Sequence, residues 1–328
     1  MKRAIWLLAA AMPLAAQPKL LINAQVQIHS AAAGLESQFK TLLSAQPQPA
    51  WIAYSVPSVR TYNLGCDYVR DGFTQPGVVH LESPDHAVIL FRVEANAVNR
   101  IRTLSPDCEI DAGGVPVHWL TDVQPAQSIA LLVSLMSERD RIGDNPVSAI
   151  AQHADPAADE ALERFLATNQ PESLRLRAVS ALGSARGRHG FDLLKKLISS
   201  DPDERIRERA ISGLSSSKEP DALDLLISIA KTDQNSRMRQ QAVTALARKP
   251  GPLVVGTISK VIESDPDVQV KRHAVSSLNQ LPDGAGIPVL IQMVKTTQNT
   301  EVRKQAMNTL QNSRDPRAVA FFEDVLKH

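Results

Sequence analysis

The chain has 328 residues, of which 43% are hydrophobic and 22% charged, a globular balance that argues against wholesale disorder and against a membrane bundle. Its formal net charge of +1 gives no bulk attraction to nucleic acid. That charge is unevenly spread: residues 17–170 hold 10 Lys+Arg against 17 Asp+Glu, and residues 171–328 hold 24 against 18.

Residues 1–16 read as an export signal. Lys2 and Arg3 precede the apolar run "AIWLLAAAMPL", and "LAAQ" follows as a small-residue cleavage site after Ala16. The run is about ten residues, too short for the ~20 that cross a bilayer as a helix. The expectation is an exported chain without stable membrane insertion after cleavage, periplasmic or secreted.

A small α+β domain is expected at 17–122. "AGLESQFKTLL" carries a helical stripe of Leu35, Phe39, Leu42 and Leu43. After the break "QPQP" come β-rich runs at 51–56, 77–82, 87–94, 97–104 and 115–120. Runs 87–94 and 97–104 are joined by "AN", a hairpin connection. In the second of these, Val98, Ile101 and Leu104 do not alternate, so its register is open. Segment 105–114, "SPDCEIDAGG", reads as a constrained loop. The two cysteines, Cys66 and Cys108, form one disulfide by default in an oxidising compartment, with two free buried thiols as the other arrangement. The bridge closes a loop of about 40 residues, worth roughly 3–4 kcal/mol in the chain-entropy model. Residues 123–144 read as a bridging helix.

From 145 onward one pattern recurs every 32 residues: "RLRAVSAL", "RERAISGL", "RQQAVTAL", "KRHAVSSL" and "RKQAMNTL". With the Ala of each copy (178, 210, 242, 274, 306) as zero, aliphatic residues fill −4, +1 and +4. These offsets share one face of a helix. A second apolar column sits at +16 and +19, so each unit is two helices. Running the register backward adds a degraded copy through Val147, Ile150, Leu162 and Phe165, making about six pairs over 145–328. "DPDE" at 201–204 offers Asp201 as N-cap with Pro202 at the first helical position. One pair cannot bury its apolar face alone, whereas stacked pairs at constant pitch bury a continuous core, an α-solenoid. The last helix, "PRAVAFFEDVLKH", is expected to turn Glu323, Asp324, Lys327 and His328 to water.

The motif D-P-x-x-x-V/I-R-x-x-A-x-x-x-L resembles HEAT repeats, in particular the short bacterial kind named after phycobilisome-lyase subunits. The resemblance covers 145–328 and implies the fold. It implies that the helix carrying the repeated Arg lines a concave face. It also implies a structural ladder between Arg175, Arg207, Arg239, Lys271 and Arg303 and the acids Asp201, Asp233 and Asp265. The other reading of that cation column is a grip on an anionic polymer or acidic peptide. A second stripe, at −2, −1 and +2, is left exposed by the core face. Its members Arg177, Arg209, Gln241, Arg272, His273 and Lys304 are the candidate partner-binding residues. They form either a solvated face or a groove for an acidic or extended protein partner. The stripe offers no aromatic platform for bases.

No nucleophile elbow, P-loop, dinucleotide fingerprint or H-E-x-x-H occurs. Helical-repeat hydroxylases hold iron through His-Glu dipeptides, and this chain contains none. His80 and His86, with Glu82 and Asp85 between them, are the one local cluster that approaches a metal site, and they read as a surface loop. The functional expectation is therefore an exported protein-interaction scaffold, neither an enzyme nor a cofactor binder, with no metal. The alternative is an enzyme or enzyme subunit drawing on His118, Asp111, Asp107 and Glu82, with a site between the α+β domain and the first repeats.

Overall fold

Short, nearly continuous apolar runs build a sheet first. In the computed structural model, which describes residues 20–59, 85–138 and 146–327, five strands stand in the order β2-β7-β3-β4-β5. They are β2 (Gln25–Ser30), β3 (Ala50–Pro57), β4 (His86–Glu94), β5 (Ala97–Leu104) and β7 (Pro116–Thr121). Strands β2, β7 and β3 run parallel, and β3, β4 and β5 antiparallel. Helix α1 (Leu35–Ser44) makes the crossover from β2 to β3. The β4–β5 turn is a two-residue loop with Ala95 at φ 51° and Asn96 at φ 57°. Two left-handed residues give the turn twist that matches paired strands. The open register of β5 has a physical cause. Arg92 pairs with Arg100 and Val93 with Val98, so Asn99 is an extra residue on β5. This bulge puts Val98 and Ile101 on one face although they are three apart.

Each sheet face is buried separately. On one face Phe39 of α1 packs edge-on against Phe91, with ring centroids 4.9 Å apart, and helix α2 (Pro125–Ser134) adds Ile129 and Leu132. The expected bridging helix is thus part of this unit's own core. The other face, Ala53, Val88, Leu90, Val117 and Trp119, is covered by Ala112 and Ile110. They belong to segment 105–114, expected as a loop. Its residues Glu109–Asp111 form strand β6, which pairs in parallel with β1 (Leu20–Ile22). Strands β1 and β6, with three residues each, lack the length that sequence patterns need, whereas β2 does alternate, through Val26 and Ile28. Run 77–82, the export signal and Cys66 lie outside the described residues, and Cys108 is buried.

Helix α3 (Pro146–Gln152) belongs to the same unit, since the chain divides between Arg164 and Phe165, within α4 (Pro156–Leu166). Val59 N–H donates to Gln152 C=O at 2.8 Å and Ala154 N–H to Pro57 C=O at 3.0 Å, tying the end of α3 to the end of β3. A buried polar chain reinforces this. Tyr54 Oη lies 2.8 Å from Ser128 Oγ, Ser128 Oγ 2.8 Å from His153 Nε2, and His153 Nδ1 2.9 Å from Ala149 O. The Ala149 carbonyl can only accept, so Nδ1 carries the proton. Nε2 then accepts from Ser128, and Ser128 accepts from Tyr54. Every member is satisfied, and burial pushes the Tyr54 phenol above its ordinary value.

The second unit, from Phe165 on, is an α-solenoid of five helical pairs. First helices are α5 (Glu172–Ala185), α7 (Glu204–Leu214), α9 (Ser236–Leu246), α11 (Val268–Leu278) and α13 (Thr300–Gln311). Second helices are α6 (Gly187–Ser200), α8 (Asp221–Thr232), α10 (Pro252–Ser264), α12 (Ile287–Thr296) and α14 (Pro316–Lys327). First helices stack side by side, and each second helix packs on the first helix of the next pair. All five zero-position alanines are fully buried. The caps fall two residues later than expected. Asp203, Asn235, Asp267 and Asn299 accept from the N–H two residues on, whereas Asp201 Oδ1 accepts from Asp203 N–H at 3.0 Å. Pro202 therefore sits before the helix, in the link between two Asx turns. Between α5 and α7 the helices approach closely: a methyl on Gly183 would stand 2.3 Å from the Gly213 carbonyl oxygen. The last helix departs from a polar cap. Phe321 is buried and Phe322 of the +16 column half-buried, but Val325 of the +19 column is exposed, as are Val319 and Leu326.

Ser128→Ala removes the link between the Tyr54 hydroxyl and His153 Nε2. It is expected to cost about 1–3 kcal/mol of stability, read by urea denaturation.

Candidate functional site

Two members of the cation column, Arg175 and Arg239, are buried in the α-solenoid, while Arg207 and Lys271 are half-buried and Arg303 is exposed. Arg239 Nε and Nη2 hold both oxygens of Asp265 at 2.7 and 2.9 Å, and Arg175 Nη2 binds Asp201. All four residues are at most 7% exposed. The pairing runs 26 residues forward, from a first helix to the acid before the next one. The Asp265 carboxylate raises the Arg239 guanidinium above its ordinary value. The whole column does a second job: it caps the carbonyl end of the helix that precedes each first helix. Arg175 Nε donates to Leu166 C=O at 3.0 Å, Arg207 Nη1 to Asp201 C=O at 2.5 Å and Arg239 Nη1 to Asp233 C=O at 2.8 Å. Lys271 Nζ donates to Glu263 C=O at 2.9 Å and Arg303 Nε to Thr297 C=O at 3.2 Å. These carbonyls have no partner within their helices. Asp233 accepts from Asn235 N–H at 2.8 Å.

The exposed stripe sorts into engaged and open groups. Arg205 pairs with Glu172 at 2.9 Å, and Arg237 with Glu208 at 3.2 Å and Glu204 at 3.7 Å. His273 Nε2 lies 2.8 Å from Thr244 Oγ1, and Gln305 Nε2 donates to Ser276 Oγ at 2.8 Å. Both link position +2 of one copy to −1 of the next. His273 is thus half-buried in a joint between helices, and burial holds its imidazole below the ordinary value. Arg177, Arg209 and Arg272 remain exposed, with no ion pair among the described residues. Lys304 has only Glu301 on its own helix, at 3.7 Å. Gln240 and Gln241 are half-exposed.

The residues nominated for an enzymatic site are not gathered together. His118 lies on the helix-covered face of the sheet, with Nδ1 3.1 Å from His29 Nε2 and Nε2 2.8 Å from Gln46. Burial, then the neighbouring His29, pushes its imidazole below the ordinary value. Asp111 sits on β6, over the opposite face. Its carboxylate accepts from Gly113 N–H at 2.8 Å and Asn23 Nδ2 at 3.2 Å, contacts that lower it. Asp107 N–H donates to Ser105 Oγ at 3.3 Å. Glu82 and His80 lie outside the described residues, and His86 pairs with Asp85 at 2.8 Å in the open. Among the described residues no three His, Cys, Asp or Glu side chains gather as a metal site. A cavity of about 290 Å³ beside β5 and β6 is lined by Trp51, Leu90, Arg100, Arg102 and Glu109, among others. The two arginines and Glu109 are each already engaged.

Residues 165–247 and 257–328 match the family model of HEAT repeats. The comparison with curated proteins gives no match. Among solved structures the chain is similar to the complex of CpcE and CpcF of phycocyanin lyase from Nostoc sp. PCC7120. The identity is 23%, over 47% of this chain and 99% of that one, with a TM-score of 0.33. It is also similar to human deoxyhypusine hydroxylase in complex with glycerol. There the identity is 18%, over 62% of this chain and 74% of that one, with a TM-score of 0.27.

Two tests address the buried charges. Asp265→Ala leaves Arg239 buried and unpaired and is expected to cost about 3 kcal/mol, whereas Asp265→Leu with Arg239→Leu recovers most of it. His118 has a folded value below the ordinary 6.5. The unfolded chain therefore takes up the proton first as pH falls. Its contribution to stability is complete above about pH 6.5 and is lost below it, down to the folded value. His118→Phe should remove that acid-side slope in denaturation curves taken across pH 7 to 5.

Proposed function

Since residues 165–247 and 257–328 match the family model of HEAT repeats, we propose that the chain is an interaction scaffold that holds a protein partner on the exposed face of its first-helix layer. The observation that carries the reading is the sorting of cations on that layer. The column facing the core closes helix ends and buried pairs, while Arg177, Arg209, Arg272 and Lys304 stand outward on four of the five first helices. First helices also pack more extensively on one another than second helices do, which supports reading theirs as the inner side of the stack. His273 and Gln305 serve this face as joints, and Gln241 lies between the two cation pairs.

The proposal includes export directed by residues 1–16 and a Cys66–Cys108 bridge, supported by the burial of Cys108 and by the absence of a free cysteine among the described residues. No helix among the described residues is long and apolar enough to cross a membrane. A non-enzymatic role is favoured because His118 and Asp111 stand on opposite sides of one sheet.

A photo-crosslinking residue placed singly at Ser180, Thr244 and Asn308 on the first-helix face, and at Lys196, Ser228 and Lys260 on second helices, tests the reading. Partner adducts are expected from the first set only. Adducts confined to the second set would move the binding surface to the other layer.

A further inference from the structure

A partner's chemistry is readable from the face it meets. On α5 and α7 the exposed cations are Arg177 and Arg209, and on α11 and α13 they are Arg272 and Lys304, the last with only the exposed Glu301 of its own helix at 3.7 Å. Helix α9, between the two pairs, presents Gln240 and Gln241 instead. The remaining basic residues of this layer are engaged: Arg205 and Arg237 by glutamates, and Arg175, Arg207, Arg239, Lys271 and Arg303 by helix-end carbonyls. The exposed face therefore alternates in chemistry along the stack: two cationic helices, one amide helix, two cationic helices. Packed helices stand about 8–10 Å apart. An extended peptide advances about 3.3–3.4 Å per residue, so one helix spacing takes about three of its residues. Glutamine amides both donate and accept, which suits the backbone of an extended strand, and guanidinium groups suit carboxylates.

We infer that this face takes an extended acidic peptide whose carboxylates fall in two clusters separated by a neutral stretch of about five residues. Arg177 and Arg209 hold one cluster, Arg272 and Lys304 hold the other, and Gln240 and Gln241 bind the backbone between them. The inference rests on the first-helix face being the partner-binding face and adds what binds there. Without the middle amides, four cations would draw any acidic surface. The interruption at α9 is what gives the face a register. Neutral and basic segments are excluded by the same charges.

The test is fluorescence anisotropy with the full chain and three labelled Gly/Ser peptides. One carries Asp at roughly every third residue with the middle one left neutral, at positions 1, 4, 10 and 13 of the peptide. The second carries the same four Asp contiguously, and the third has Lys in place of the spaced Asp. The spaced peptide is expected to bind at least about tenfold more tightly than the contiguous one, the lysine peptide not to bind, and affinity to fall with added salt. Arg177→Ser with Arg209→Ser should weaken the spaced peptide by about four- to twenty-five-fold, at two- to five-fold per exposed contact. Circular dichroism checks that these exposed changes leave the helices intact. Moving an Asp pair of the peptide to Lys should be rescued by Arg272→Glu with Lys304→Glu. Equal affinity for spaced and contiguous peptides overturns the inference, as does a double variant that binds unchanged. First-helix crosslinks to a partner without spaced-peptide binding overturn the acidic register alone. Absence of both removes the binding face as well.

Discussion

Burial of the aliphatic columns at −4, 0, +1 and +4 is the constraint on which the α-solenoid depends. A helix carrying these columns has one wide apolar face, and its own second helix cannot cover all of it. The neighbouring pair supplies the rest, and it does so only if its columns arrive in the same phase. First helices begin at Glu172, Glu204, Ser236, Val268 and Thr300, and second helices end at Ser200, Thr232, Ser264 and Thr296. Both sets advance by a constant 32 residues. Second helices begin at irregular intervals, because the turn between the two helices of a pair uses different residues in each copy. The period is thus held where one pair meets the next and relaxed within the pair.

The same junctions collect the polar chemistry. A second helix ends against the start of the following first helix, and four carbonyls there have no partner within the helix. The cation at −3 reaches back to them, and the acid at the junction holds the next cap residue. In two places a forward Arg–Asp pair is added, buried and geometrically matched. Buried pairs of this kind are weak contributors to net stability, but they are costly to break and so reject a slipped register. Because these groups must meet at fixed points, the column cannot also be a binding surface. Partner recognition is left to the outward stripe, whose side chains have fewer structural duties.

The sheet unit is organised by different means. Its five strands need cover on both faces. One face takes α1 and α2, and the other takes the β1–β6 ribbon with Ala112 and Ile110. The Tyr54–Ser128–His153 chain then fixes α2 and α3 against β3, with one proton arrangement satisfying every group. A Ser and a His in contact suggest nucleophile chemistry, but the site is closed to solvent and both ends of the chain terminate in protein atoms. Its physical role is specificity of packing.

What the sequence determined by itself was whatever repeats or alternates over many residues. The helical pairs, their columns and helix α1 follow from periodicity, because period reports which face is buried, and strands β3, β4, β5 and β7 follow from short β-rich runs bounded by turn residues. The candidate binding stripe was legible as well, as the face left over. Only the tertiary structure decided which cations were engaged. Arg175 and Arg177 are two residues apart and chemically alike, yet one closes a helix end and the other faces outward. Tertiary context likewise set the bulge at Asn99, the shift of the caps from Asp201 to Asp203, and the assignment of α2 and α3 to the sheet. Each of these depends on contacts between residues distant in the chain, and local pattern carries no information about such contacts.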